Sequence, residues 1–522
     1  MLRLTAPSVR LRLPPPLAGK DRQVPTPRNV DLRLRHAERA TTSALMLSAQ
    51  RPTRATVALA AIVLLGLALR LWCARGGLWV DEAWSAQFVA QAGSVSGIFW
   101  RVNHDNNHYL NSLWILLVGP YAPPLLIRAL SIVAGTASIA VAAAIGWRRT
   151  PSTGLVAAIL FAVSPILVAY GAEARGYGPM LLAMLWSVLM ICRWLDGDAP
   201  PPAWSLAALT FAGLLAQLTY LFAIATFTGW IVMTLARRGS IDAAVAATAR
   251  VLGPSLAVLA LVIAFVVAAA SASPTGFQAG GFPGFTLPGF AEILAETIAY
   301  TVGLALPATW ATIAAAVLAI VAMLVRTRPE RRPFYLVATI AFPAVLAVAL
   351  WRIDNAGFAR YYLVAVVGLL LLLGDAAGVA ISRGGWYRTA GFALILLIVG
   401  ASLYRDAALG SAARGDPGLA IAAMRARSPA GAGILVDTIR PVPVLDVAAR
   451  SVGYPLAIRR RCPAPAFAFV DLVTTAPPAV GISRCGTRYS LVRTGRHLAL
   501  SGLDWALYAR ADLPEKRGSS TR

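Results

Sequence analysis

The sequence predicts an all-α polytopic membrane protein of about 11 transmembrane helices, followed by a small extracytoplasmic α/β domain. Three observations lead there. Of the 522 residues, 58% are hydrophobic and only 13% charged. The apolar stretches are long and continuous, each about 20 residues, enough to cross a hydrocarbon core of roughly 30 Å as helix. They are rich in Ala and Leu and lack the short alternating segments of an outer-membrane barrel.

The charges are arranged to match. A formal net charge of +24 would suggest nucleic acid in a soluble chain. Here the arginines cluster in short connections, at Arg148-Arg149, Arg237-Arg238, Arg326 to Arg332 and Arg383 to Arg388. Those are the places that the positive-inside rule assigns to cytoplasmic loops. No basic stripe interleaved with aromatics appears, so no nucleic-acid partner is expected.

Residues 1–54 are rich in Arg and Pro, without apolar periodicity, and read as a disordered basic segment. Met46 lies just before the first span and reads as a natural start, which would leave the upstream stretch untranslated. No small-residue cleavage site follows the first apolar run, so it is expected to be a retained helix. Residues 55–404 then form the transmembrane domain, with spans at about 56–74, 124–146, 153–170, 179–195, 203–219, 221–236, 251–270, 303–325, 334–351, 361–381 and 387–404. A Trp-rich amphipathic loop, 75–122, lies outside, as does a Gly-, Pro- and Phe-rich loop at 271–298. The tail, 405–522, is polar. A helical pattern around Leu419 to Arg427 precedes β-like runs at Gly433 to Asp437 and Tyr489 to Arg493. Of the four cysteines, Cys73 and Cys192 lie in apolar spans, while Cys462 and Cys485 in the tail would pair if it sits in an oxidising compartment.

Chemistry-bearing residues gather on the outer side. Asp81 and Glu82 follow the first span, flanked by Trp79 and Trp84, and would project roughly 100° apart on a helix. One could act as a base while the other orients it or binds a metal, although acids also favour helix starts for capping alone. His104, Asp105 and His108 have the spacing that puts two imidazoles on one helix face. Glu173 and Arg175 sit in a hairpin connection, beside Tyr177, between spans almost free of other charges. Arg360, beside Tyr361 and Tyr362, places a guanidinium fork at the start of a late span, where it suits phosphate.

Asp81-Glu82-Ala83-Trp84, the His108 to Trp114 stretch, Ile127-Arg128-Ala129-Leu130-Ser131, Glu173-Ala174-Arg175-Gly176-Tyr177 and Arg360-Tyr361-Tyr362 occur in an order that resembles the GT-C superfamily. It resembles in particular bacterial relatives of protein O-mannosyltransferases and the lipid A aminoarabinose transferase. The resemblance covers about 75–405. It implies a glycosyltransferase of the bacterial inner membrane that moves a hexosyl or pentosyl group from a polyprenyl-phosphate donor, with inversion, to a lipid, glycan or protein acceptor on the extracytoplasmic face. Asp81 is then the expected general base, supported by Glu82 and Glu173. His104, Asp105, His108, Arg175, Tyr177, Arg360 and Tyr361 are the expected substrate-binding residues. A divalent metal is a further expectation, with Glu82, Glu173 and His108 as its candidate ligands. Relatives carry His-Pro-Pro-Leu-Tyr where this chain has His108-Tyr109-Leu110-Asn111. The alternative reading is a transporter or lipid flippase without transferase activity, which calls for charged or broken helices at mid-membrane.

Overall fold

The computed structural model describes residues 54–512 except 282, 473–475 and 499; the expectations for the N-terminal basic segment and Met46 lie outside the described residues. Nine described helices are long and apolar enough to cross a membrane, so the chain is a multi-pass membrane protein. They are Arg54–Cys73, Pro124–Trp147, Tyr177–Leu195, Leu218–Ala236, Ile241–Ala272, Thr309–Arg326, Arg332–Arg352, Ala359–Arg383 and Gly385–Gly415. The other two expected spans take different forms. The one at 153–170 is a pair, Pro151–Val163 and Pro165–Gly171, bent by 61°, and the one at 203–219 shortens to a 14-residue helix, Ala203–Ala216.

The bend has a sequence cause. Pro165 has no N–H, so the Phe161 carbonyl loses its helical partner. A buried arginine from the first span fills the gap. Arg70 donates to the carbonyls of Phe161, Ala162 and Gly66 at 3.2, 3.4 and 2.9 Å. Gly135 and Gly171 make the room, since a Cβ at either would lie within 2.9 Å of the Arg70 Nε. The polar backbone freed by the break is thus satisfied inside protein, as a low-dielectric surrounding demands.

Two boundaries differ from expectation. The loop at 271–298 contains an amphipathic helix, Leu287–Val302, opened by Thr286, whose hydroxyl accepts from Gly289 N at 3.2 Å. The next span consequently begins at Thr309 rather than near 303. The last span continues to Ala412, past its expected end near 404.

The outer loop after the first span folds into three short helices, Val80–Ala92, Val95–Trp100 and Tyr109–Val118. Against them rests the tail. Its helices Gly418–Arg427 and Pro441–Ser451 accompany a six-stranded mixed sheet. The strands are β1 (Ala432–Val436), β2 (Leu456–Arg459), β3 (Phe467–Asp471), β4 (Gly481–Arg484), β5 (Thr487–Gly495) and β6 (Trp505–Arg510), ordered β2-β1-β3-β6-β5-β4. β1 runs parallel to β2 and β3; the other neighbours are antiparallel. Cys462 and Cys485 form a disulfide. One apolar core joins the loop helices to the tail, with Ala83, Val89 and Ile115 packed among Ile421, Met424, Val444 and Phe469. Each large aliphatic side chain buried there contributes about 1.5–3 kcal/mol, so the tail is fused to the loop that carries the acid pair.

Candidate active site

The acid pair opens the helix Val80–Ala92, and its two members have different surroundings. Glu82 is wholly buried. Its carboxylate accepts from the Trp79 backbone N–H at 3.2 Å, so it caps its own helix. It also takes Arg128 in a two-pronged pair, at 2.8 and 2.5 Å, and the Ala174 N–H at 2.6 Å. The remaining Arg128 donors reach the carbonyls of Ala74, Gly76 and Gly77. Burial pushes the Glu82 carboxyl up, but Arg128 and the Ala174 N–H outweigh it and hold it below the usual range. Glu82 therefore ties the first loop, the second span and the 173–175 connection together.

Asp81, one residue earlier, faces a different way, and its side chain is 26% exposed. Arg175 Nη1 pairs with its Oδ2 at 2.8 Å and Arg360 Nη1 lies 3.7 Å from the same oxygen. Arg175 is buried and held on all sides. Its Nε donates to His108 Nε2 at 3.2 Å and its Nη2 to Asn106 Oδ1 at 3.0 Å. Its guanidinium lies over Tyr177, 4.9 Å from the ring centre. The Ser131 hydroxyl fixes the Arg175 carbonyl and Asn111 fixes the Ala174 carbonyl, both at 2.6 Å. Asn106 also donates to the Asp81 carbonyl at 2.7 Å. Arg360 stacks on Phe358 at 4.0 Å and more loosely on Tyr361 at 5.9 Å.

His108 is buried beside this pair. Because Nε2 accepts from Arg175, Nδ1 carries the proton and donates to Gln217 Oε1 at 3.0 Å. Burial, then the charges of Arg175 and Arg360, drives its pKa well below that of a free imidazole, so it stays neutral. The result is one partly exposed carboxylate between two guanidiniums, with Arg175 held in turn by His108 and Asn106 and His108 by Gln217.

The arrangement of helices that frames this site is similar to that of ArnT from Cupriavidus metallidurans in the apo state, with TM-score 0.50 and 11% identity over 86% of this chain and 97% of that one. The likeness is one of fold, and it is the fold that the GT-C resemblance implies. Other similar structures are the same ArnT bound to undecaprenyl phosphate, with TM-score 0.48 and 13% identity over 86% and 97% of the two chains. A third is the Archaeoglobus fulgidus oligosaccharyltransferase tethered with an acceptor peptide, with TM-score 0.48 and 13% identity over 78% and 64%. No protein-family model matches the sequence. No curated protein matches it either.

Within this fold the expected site residues separate into groups. Asp81, Arg175, Arg360, His108 and Tyr177 come together. The helix expected over 104–108 does not form; the chain there is a loop, and the helix starts at Tyr109. Side chains compete with helical bonding at that point. Asn107 donates to the carbonyls of Ile98 and Val102, and His104 Nδ1 accepts from the Asn106 N–H. His104 and His108 therefore share no helix face. His104 pairs with Asp105 at 2.7 Å, and Asp105 also accepts from the Gly280 N–H at 3.1 Å. Those two residues anchor the loop after Ala272 at Gln278 and Gly280.

Glu173 points away from Asp81. It is buried, accepts from the Ser501 hydroxyl of the tail, and lies 3.9 Å from Arg414 Nε. Burial pushes its pKa up against the pull of Arg414 and Arg175. Among the described residues no three His, Cys, Asp or Glu stand together as a metal site requires. Glu82, Glu173 and His108 each face a guanidinium in a separate place, so these three do not fit a shared ion. Arg128, Asn106, Gln217 and Ser501 were not among the expected site residues. An arginine in an apolar span was a readable signal for the first. Nothing local marked the other three.

Proposed function

We propose that the chain is a membrane glycosyltransferase that moves a sugar from a polyprenyl-phosphate donor to an acceptor on the extracytoplasmic face of a bacterial inner membrane. The observation that carries this reading is Asp81 between Arg175 and Arg360. Two guanidiniums facing one carboxylate leave an unmatched positive charge, and a phosphate oxygen is the natural second anion for such a fork. In the donor that phosphate is the leaving group, and fixed cations stabilise the charge that develops as the glycosidic bond breaks.

The roles follow from the contacts. Asp81 accepts the proton of an acceptor hydroxyl or amine as its oxygen or nitrogen bonds to the anomeric carbon. The bond from that carbon to the phosphate oxygen breaks, and Arg360 and Arg175 hold the departing lipid phosphate. Attack from the face opposite the leaving group inverts the anomeric centre. Glu82 positions Asp81 through Arg128 and the Ala174 N–H, and neutral His108 orients Arg175. The sugar is a hexose or pentose and the acceptor a lipid, glycan or protein.

Sidedness rests on two features. The Cys462–Cys485 disulfide suits an oxidising compartment, and the tail packs on the helices that carry Asp81. Arg148, Arg149, Arg238 and Arg331 lie at the far ends of the spans, as a cytoplasmic face requires. The broken span at 151–171 is a feature that the transporter reading calls for. Its freed carbonyls are, however, bound by Arg70.

The test is to supply purified protein in liposomes with radiolabelled polyprenyl-phosphate sugars and a membrane extract as acceptor source. The reading expects label to leave the polyprenyl carrier and appear in a second product. Label that crosses the bilayer still attached to its carrier, with no product formed, would mean transport instead.

A further inference from the structure

One loop of the tail, between β5 and β6, reaches the membrane bundle through Leu500 and Ser501. Asp504 braces its neck, accepting from the His497 N–H at 2.6 Å, His497 Nδ1 at 2.8 Å and Arg496 at 3.1 Å. Leu500, at φ 79°, adopts left-handed backbone, which a leucine keeps only where its surroundings over-determine it. Here its side chain packs on the core of the bundle and its backbone hydrogen-bonds the Glu296 carboxyl. The Leu503 N–H donates to the Arg414 carbonyl at 3.2 Å. At the tip, the Ser501 hydroxyl donates to Glu173 Oε1.

That last contact bears on the site because Glu173 begins the segment that ends in Arg175. The other ties on this segment come from the bundle and the first loop. Glu82 holds the Ala174 N–H, Asn111 the Ala174 carbonyl, and Ser131 the Arg175 carbonyl. The tail supplies the hydrogen bond to the Glu173 side chain, whose second oxygen has no hydrogen-bond partner among the described residues. Arg414 is the nearest cation, yet its terminal nitrogens are taken by the carbonyls of Cys73 and Ala169. Arg175 pairs with Asp81 at 2.8 Å, and Glu173, two residues before it in the chain, is a second carboxylate whose charge it feels.

We propose that Ser501 is a positioning residue: by holding the Glu173 carboxyl on the tail side, it leaves Arg175 to Asp81 and makes the tail domain part of the active site. The catalytic consequence rests on the transferase reading; the positioning itself does not. Loss of the hydroxyl frees Glu173 to turn toward Arg175, which shifts the guanidinium off Asp81 and loosens the 173–175 backbone.

The experiment compares full-length wild type, Ser501→Ala, Glu173→Gln and the double variant, by hydrogen exchange of the peptide over 172–177 and by sugar transfer. In Ser501→Ala the peptide should exchange about 10-fold faster, as a local opening does. Transfer should lose about 10- to 100-fold in kcat with donor KM within about 3-fold, since a small misplacement of a catalytic group acts on turnover. Ser501→Ala should cost less than about twofold further in transfer in the Glu173→Gln background, because a neutral amide, held or freed, does not draw Arg175 off Asp81. Wild-type exchange in Ser501→Ala, or losses that multiply independently in the double variant, would overturn the proposal. If the wild type transfers no sugar, the transferase reading falls, and the exchange data alone decide the positioning.

Discussion

At the Arg-rich end of the bundle Arg148 and Arg331 converge on Asp196, each at 2.7 Å, and Arg148 also reaches Asp198. Arg149 there pairs with Asp375 at 2.8 Å. At the opposite end, among the described residues, Arg175 and Arg360 both ion-pair with one acid, Asp81. The same residue types are used in both places, but the balance differs. Arginines matched by acids, as these three are, make a latch between helix ends. Arginines in excess of their acids, in a partly open pocket, hold a field that an anion must complete. Glu82 and Arg128, a few ångströms of chain away from Asp81, show the matched case again in a fully buried form.

The contrast can be broken by substitution, and the largest effect is expected at Asp81. Asp81→Asn should reduce transfer by about 10²- to 10⁴-fold, the range for a lost general base, with the protein still folded in the membrane. Glu82→Ala should act on the fold instead. It strands the Arg128 guanidinium in a dry site, which costs about 3–5 kcal/mol and should appear as a lower melting temperature in detergent. Arg360→Ala should raise the donor KM by about 10- to 100-fold, the worth of a charge-assisted contact to phosphate, with folding unchanged.

A smaller effect is expected from pH. His108 is held neutral, with its folded-state pKa below the ~6.5 of a free imidazole. The unfolded chain then takes up a proton that the folded one refuses. Its contribution is therefore fully present above about pH 6.5 and is lost as the pH falls toward the lower folded-state value. His108→Gln should lose less stability than the wild type between about pH 7 and pH 5, measured by thermal unfolding. The smallest effect belongs to the Arg-rich end, where Asp198→Asn should cost less than about 1 kcal/mol and leave transfer unchanged.

Much of this was legible in the sequence, for identifiable reasons. Long apolar runs and arginine-rich turns specify spans and their order, since both are set locally. The break at Pro165 was not read, because a proline in an apolar run looks the same whether the helix kinks or an arginine 95 residues earlier in the chain repairs it. Leu287–Val302 was hidden by the glycines and prolines before it. In the site, Asp81, Arg175 and Arg360 announced themselves as charges beside apolar spans. The difference between Asp81 and Glu82 did not, because it depends on Arg128 and Ala174, far along the chain. Gln217 and Ser501 are ordinary polar residues in sequence, and only the packing of the tail and the break after Ala216 bring them to the site.

The most direct test sets Asp81→Asn beside Asp198→Asn in the same membranes and follows transfer of label from a polyprenyl-phosphate sugar. Both substitutions neutralise one aspartate paired with an arginine, and they differ in which end of the bundle they touch. The account predicts that transfer is lost in Asp81→Asn and kept in Asp198→Asn. Equal transfer in the two variants would contradict it.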